Sequence, residues 1–384
     1  MTPTGAARSR SASLRARAAA RMLATVVQQR TSRSVWQERE RRDGFYRGIW
    51  LAAAASLGLD AVSVGGSGVE INLGGEVLRM SRGATSLEAA DALGRAGDKP
   101  LVHRLLSDAG IPVPDHRVTT LRTLTEVEPF VTASSGCVVK PALDGSGGRG
   151  VTTQVRTRDD LETAAVAAAA AAGRASRSSP QATMTVIGRV TAKIGELGDL
   201  PLLVEEQVPG DNYRLLFLDG QLVDAVKRAQ PVVIGDGTST IDRLIERAND
   251  ARRSAPVERG GASITKDADL RTTLADQQLT LSSVPVAGRR VPLKTAINEG
   301  AIADQEPATG LLCPPIMEDA ALAATIAGTR LVGVDVITAD PTLPLARSGG
   351  CILEINTTPG LVYHYHQRAG QIHVARVILE RLIG

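Results

Sequence analysis

Residues 137–153 read CVVKPALDGSGGRGVTT, and the reading of the whole chain starts there. Val138 and Val139 are β-branched and Lys140-Pro141 ends their run, the pattern of a short strand. A loop with Gly145, Gly147, Gly148 and Gly150 follows, and Val151-Thr152-Thr153 begins a second strand. Glycines let a backbone come close to a ligand, and successive free N–H groups in such a loop suit a phosphate. Lys140 adds a positive charge at the loop's base. Gly145-x-Gly147-x-x-Gly150 also fits the dinucleotide-binding pattern, but that pattern needs a helix after the loop. Here a strand follows, so the loop is expected to cap a hairpin and act as a lid. No Gly-Lys-Ser/Thr closes it, which removes the Walker alternative. A flexible, solvated hairpin is the plain alternative.

Around this hairpin the chain alternates helices and strands. Gly97-Asp98-Lys99-Pro100 opens a helix that Asp98 can cap. Asp159–Ala172 reads as an alanine-rich helix, and Leu202–Val204 as a strand running into Glu205-Glu206. Tyr213–Leu218 and Gln221–Lys227 read as a hairpin about Asp219-Gly220. Ile241–Asn249 reads as a helix with a Ser or Thr cap, 251–270 as basic loop, and Met317–Thr329 as a helix. Leu331–Thr338 and Cys351–Asn356 read as strands, and Ala369–Ile383 as the last helix. Glycine-linked hairpins between these elements predict an α+β fold of lobes around a cleft rather than one doubly wound sheet. The expected division is a basic, solvated extension over 1–43, partly disordered or helical, a small α/β lobe over 44–97, and the main body over 98–384. Within the main body, 98–205 carries the glycine-rich lid and 206–384 forms the second lobe. Residues 173–181 read as loop, and the segment from there to Leu200 reads as irregular.

Composition narrows the function. The chain has 384 residues, enough for two or three cores, and only 2% aromatics, which argues against stacking on nucleic acid. No apolar run reaches membrane-spanning length. Cys137, Cys313 and Cys351 show no paired spacing and read as reduced core cysteines of a cytoplasmic protein. The net charge of +3 is uneven: eleven arginines face three acids in residues 1–50, so that segment is +8 and the remainder −5. A nucleic-acid arm is therefore weighed for the N-terminus and set below a solvated extension.

Asp335 in LVGVDVI and Glu354 in CILEIN are carboxylates inside apolar strands. A buried carboxylate needs a cationic partner or loses its charge. Glu354 and Asn356 are two apart on one strand and so share a face. If Asp335 lies on the neighbouring strand, three oxygen ligands converge, a set that suits Mg²⁺ shared with phosphates. A salt bridge inside the fold is the alternative reading of the same residues.

Together these features resemble the ATP-grasp ligases, with the nearest likeness to the ATP-grasp region of cyanophycin synthetases. The resemblance runs from about Gly97 to His366. It rests on GDKPLVHRLLSDAGIPVP (97–114), VVKPALDGSGGRGVT (138–152), LLVEEQVPGDNYRLL (202–216), VIGDGTSTIDRLIERAN (233–249), GVDV (333–336) and LEINTTPGL (353–361), in family order. It implies two lobes gripping ATP. Lys99 and Lys140 are implied at the nucleotide, Ser146, Gly147 and Gly148 as the lid over its phosphates, and Glu205, Glu206 and Val208 as the hinge against adenine. The family's ribose-holding acid falls at Asn212, with Asp211 beside it. Arg214, Lys227 and Lys294 resemble basic residues facing the phosphates and the acyl phosphate. Asn298 lies in the substrate loop Lys294–Ala301 and joins Arg214 and Lys294 as a catalytic candidate. Asp335, Glu354 and Asn356 match the metal set, for Mg²⁺ or Mn²⁺.

The expected activity is ATP-dependent amide formation from a carboxylate and an amine, releasing ADP and phosphate through an acyl phosphate. The chain stops at Gly384, before a Mur-ligase-like domain would fit, and its substrate loop is short, so a single-amide ligase is expected rather than a polymerase. The expected partners are small-molecule substrates, without nucleic acid or membrane, and a homodimer is allowed. Alternatives are an ATP-grasp nucleotide-binding protein without turnover and a ligase with a non-amino-acid acceptor. His364 and His366 are weighed equally as substrate contacts and as a surface or helix-capping pair.

Overall fold

A computed structural model describes residues 5–31, 33–143, 148–175, 196–365 and 373–384. Every strand pair among them is antiparallel, in three larger sheets and one small ribbon. The strands are β1 (Ala61–Ser63), β2 (Gly68–Asn72), β3 (Val77–Ser81), β4 (Ala84–Thr85), β5 (His116–Thr119), β6 (Cys137–Pro141), β7 (Thr152–Val155), β8 (Leu202–Glu206), β9 (Asp211–Leu218), β10 (Gln221–Arg228), β11 (Val232–Ile234), β12 (Arg290–Pro292), β13 (Glu306–Pro307), β14 (Leu331–Thr338) and β15 (Cys351–Asn356).

The glycine-rich segment does join two paired strands. β6 and β7 pair with Val139 opposite Thr152, inside the sheet β5-β8-β6-β7. The helix Arg158–Ala175 packs behind this sheet with its alanine run, Ala164–Ala171, buried. Small side chains let the sheet and the lid base come close. A Cβ on Gly150 would meet the Ala171 methyl at 2.6 Å, and Gly150 holds φ +77°, so both space and conformation demand glycine. The helix Gly5–Thr31 lies over the same alanine helix. Leu14, Ala18, Ala19 and Met22, spaced along one helical face, are buried in that core. The N-terminus is thus a packed helix rather than the solvated extension expected, because four apolar residues outweigh its arginines where the partner surface is alanine.

The second large sheet runs β13-β10-β9-β14-β15. The β9–β10 turn places Asp219 at φ +51° and Gly220 at φ +74°, the left-handed pair a two-residue hairpin prefers. Strand alternation splits the sheet by function. On one face, Leu215, Phe217, Val332, Val334 and Ile352 pack against the helices Lys99–Asp108 and Pro314–Ala327. On the other, Arg214, Asp335 and Glu354 lie in one row, with Leu216 and Leu218 continuing it into apolar packing. That packing joins the helices Arg33–Ser56 and Val374–Ile383 to the sheet β1-β2-β3-β4 through Tyr46, Trp50 and Val69.

The division expected at residue 43 falls inside the helix Arg33–Ser56. Asp98 caps the helix Lys99–Asp108, accepting the Leu101 N–H at 3.0 Å, and Thr240 caps Ile241–Ser254. The stretch read as basic loop contains the end of that helix, the short helix Val257–Gly260 and the start of the helix Ala268–Asp276. Ser146, Gly147, His366, 176–195 and the start of the last expected helix lie outside the described residues. No described helix is long and apolar enough to cross a membrane.

Candidate active site

A cleft of about 690 Å³ separates the two large sheets. Lys140, Glu205, Glu206, Val208, Asp211, Asn212, Lys227, Asn298, Asp335 and Glu354 all line it. On its lid-side wall, Lys140 Nζ sits 2.7 Å from Glu205 Oε2, both side chains buried. Burial would lower the Lys140 ammonium's pKa, but the charges of Glu205 and Glu354 outweigh it and raise it. Glu205 therefore acts through its side chain as an ion-pair partner, beyond the backbone role expected of it. Behind the pair lies His103, whose ring nitrogen is 3.2 Å from the Leu353 carbonyl. Glu206 and Gln207 donate their N–H groups to Asp115 and Gly136. The Val208 N–H has no backbone acceptor among the described residues, which leaves a donor facing the cleft. At the cleft's rim Lys227 Nζ holds Asp211 Oδ2 at 2.5 Å.

The opposite wall is the polar row of the second sheet. Asp335 pairs in register with Arg214 on one side and Glu354 on the other. Arg214 grips Asp335 through Nε and Nη2 at 2.6 and 2.5 Å, and Asn356 Nδ2 lies 3.3 Å from the same carboxylate. Burial would raise the Asp335 pKa, but Arg214 outweighs it and holds the carboxyl below its usual range. The salt bridge offered as the alternative for Asp335 is present, and Asp335 still stands beside Glu354 and Asn356. Glu354 Oε1 lies 3.4 Å from Lys99 Nζ, which brings Lys99 to the row although it lies outside the cleft lining.

Two expectations move. Lys294 does not line the cleft. Its buried ammonium is enclosed by Thr265 Oγ1 at 2.8 Å, Asp267 Oδ2 at 2.7 Å and Glu299 Oε2 at 2.7 Å. Thr265 and Asp267 are 29 and 27 residues away, so spacing gave no warning of them, whereas Glu299 lies in the same loop as Lys294. His364 is not a surface residue and lines neither cavity; it is buried with Nδ1 2.6 Å from Asp224 Oδ2. The lid does meet the site: a Cβ on Gly148 would stand 1.9 Å from Asn298 Nδ2, and Gly148 holds φ +79°.

The same row opens on its other side into a second cavity of about 350 Å³. Eight arginines line it against two acids, Glu38 and Glu354. Arg228 reaches both cavities and was missed in the sequence, as were Tyr363, Arg42 and Arg82. Arg228 is 5% exposed, its guanidinium lies 4.6 Å over the Tyr363 ring, and its Nε has no hydrogen-bond partner among the described residues. Burial, then the neighbouring charge of Arg214, lowers its pKa. A signal existed: Asp224 and Arg228 lie four apart in the apolar strand β10, as Asp335 does in β14.

No cluster of three or more His, Cys, Asp or Glu is placed to hold a metal among the described residues. Two carboxylates and an amide, Asp335, Glu354 and Asn356, are hard oxygen donors but an incomplete shell. That donor set fits a magnesium ion whose remaining ligands are phosphate oxygens and water, as magnesium sites with nucleotides commonly are.

No family model matches the chain. The chain takes an ATP-grasp fold, defined by its opposed antiparallel sheets, the glycine-rich hairpin and the basic and acidic walls between them. It is 30% identical over 318 residues to a cyanophycin synthetase of Crocosphaera subtropica, covering 82% of this chain and 33% of that one. It is 25% identical over 292 residues to a glutathione biosynthesis bifunctional protein of Streptococcus mutans, covering 73% and 34%. In structure it superposes on a bifunctional glutathione synthetase of Pasteurella multocida with a TM-score of 0.51 at 19% identity, covering 88% of this chain and 44% of that one. The chain thus spans about a third of the length of the curated relatives it matches.

Proposed function

We propose that the chain is an ATP-dependent carboxylate–amine ligase that forms an amide bond and releases ADP and phosphate. The observation that carries this reading is the row Arg214–Asp335–Glu354, which fronts a nucleotide-sized cleft on one side and an anion-attracting cavity on the other. Adenine sits against Glu206–Val208, and the phosphates lie between Lys140 and the lid around Gly148. Asp335, Glu354 and Asn356 hold magnesium, which when bound offsets charge on the phosphates. An oxygen of the substrate carboxylate attacks the γ-phosphorus, the bond to the β-bridging oxygen breaks, and ADP leaves with the electron pair. The amine nitrogen then attacks the acyl carbon, phosphate leaves with the C–O bonding pair, and the amine's proton passes to solvent. Arg214 and Arg228 orient the carboxylate and stabilise the charge spread over the transferring group. Closure of the lid onto Asn298 keeps water from the acyl phosphate. Two of the three cysteines, Cys137 and Cys351, are buried and all three are unpaired, which supports a cytoplasmic setting.

The test is ADP release with ATP and Mg²⁺ against a panel of acids and amines, for the wild type and Glu354→Ala. Release that needs an acid and an amine and falls about 100-fold or more in the variant supports the reading. Nucleotide binding with no acid-dependent release from any panel member sinks it.

A further inference from the structure

The arginines of the smaller cavity differ in how their charge is met. Arg214 has Asp335, Arg82 has Asp43 at 2.6 Å, and Arg253 has Asp250. Arg41, Arg42 and Arg252 have no carboxylate partner among the described residues, and Arg228 only shares Asp335, at 3.8 Å. Arg41 donates to the carbonyls of Arg253 and Ala255, and Arg252 donates to those of Ala262 and Glu299. These two build the wall. Arg228 and Arg214 lie over the Tyr363 ring at 4.6 and 5.7 Å, and the charge of Arg42 acts on both Tyr46 and Tyr363. Holding guanidiniums this close without counter-charge is costly unless a ligand brings it.

The N-terminal lobe supplies part of this wall and fixes it. Arg82 sits in the β3–β4 turn at φ +56°, a conformation uncommon for a side chain of that size, and there it holds Asp43, next to Arg42. At about 350 Å³ the cavity is at the small end of ligand sites, which fits a metabolite rather than a polymer strand. No lysine lines it, and the planar fork of arginine matches a carboxylate bidentately.

We infer that this cavity is the donor-acid site and that the acid is a small polycarboxylate. One carboxylate lies at Arg214 and Arg228, to be activated, and a second is read by Arg42 of the N-terminal lobe. The inference rests on the ligase reading for its first carboxylate and on the cavity alone for its second.

The experiment uses the full chain with ATP and Mg²⁺, and hydroxylamine in place of the unknown amine, so that an activated acid is trapped as a hydroxamate. The acids are acetate and alanine, then aspartate, glutamate, succinate and citrate, then 3-phosphoglycerate. The expected result is hydroxamate from at least one polycarboxylate with kcat/KM tenfold or more above either monocarboxylate. In Arg42→Gln the KM for that acid rises about tenfold or more, the loss of one charge-assisted pair, while the KM for ATP and the melting temperature stay unchanged. Equal use of a monocarboxylate, preference for the phosphorylated acid, or an unaltered acid KM in Arg42→Gln overturns it. If no acid gives hydroxamate, calorimetric binding of glutamate and citrate separates the two readings. Binding that Arg42→Gln abolishes keeps the polycarboxylate site and refutes the ligase; no binding of either to the wild type overturns the site.

Discussion

The two cavities share Arg228, Asn298 and Glu354, yet they are opposites in charge. Seven acids and four bases line the larger cleft, whereas eight arginines and two glutamates line the smaller cavity. The cleft's ions answer one another: Lys140 with Glu205, Lys227 with Asp211, and Glu354 with Lys99 just behind it. It is organised before any ligand arrives. The smaller cavity pairs Arg82, Arg214 and Arg253 with acids but meets Arg41, Arg252 and Arg228 mainly with carbonyls and a tyrosine face, and leaves charge over. The difference teaches that a pre-paired polar site can be held by its own strands, while an unpaired one must be braced by neighbours. Here the brace is the N-terminal lobe.

The sharpest way to break this contrast is to remove one arginine of each kind. Arg214→Ala strands Asp335 in a buried place and is expected to cost about 3–5 kcal/mol in urea unfolding. Arg228→Met, a few ångströms away, removes a buried charge whose Nε has no partner. Its expected stability change is below about 1.5 kcal/mol, of either sign. The same variant lowers kcat/KM by about 10²–10³-fold, since a donor to the transferring group is gone. Equal stability losses in the two variants would show that both arginines are structural.

This pair also marks how much of the site was legible. Asp335, Glu354, Lys140 and Glu205 stood out because each is a charge in or beside an apolar strand, and such a charge has to be answered. Arg228 carried the same signal and was overlooked beside Lys227. The arginine cavity was legible only at Arg214, because Arg42, Arg82 and Tyr363 share no spacing with it and meet it only when the N-terminal lobe folds back. Most strands and hairpins were readable from β-branched runs and glycine turns. The fate of the N-terminus was not, since its partner is an alanine surface that carries no pattern of its own. That packing makes a prediction of intermediate size. Met22 is fully buried against the alanine helix, and Met22→Ala is expected to lower stability by about 2 kcal/mol or more, the cost of a buried cavity. A change within error would mean that the helix Gly5–Thr31 adds nothing to the lobe's stability.

The smallest expected effect probes the cleft alone. Arginines keep their charge at every working pH, so the guanidiniums of the smaller cavity do not titrate between pH 4 and 7. Beside the cleft, folding itself becomes pH-dependent there through His103, which is 1% exposed behind Lys140. Burial, then the charge of Lys140, pushes the His103 pKa down from 6.5 to about 3. Between those values the unfolded chain binds a proton that the folded chain refuses. Stability therefore falls as pH drops below 6.5, by at most about 1.4 kcal/mol per pH unit from this group. Glu205 and Asp269, whose carboxyls burial raises, act with the opposite sign, so the raw curve mixes the two. His103→Gln separates them. The variant's melting temperature should decline less than the wild type's from pH 6.5 to 4.5. Below about pH 4, where Asp335 of the unfolded chain takes up a proton that the Arg214-held carboxylate of the folded chain refuses, both proteins should fall together. An unchanged decline in the variant would place the acid sensitivity outside the cleft and undo the picture of a site neutralised from within.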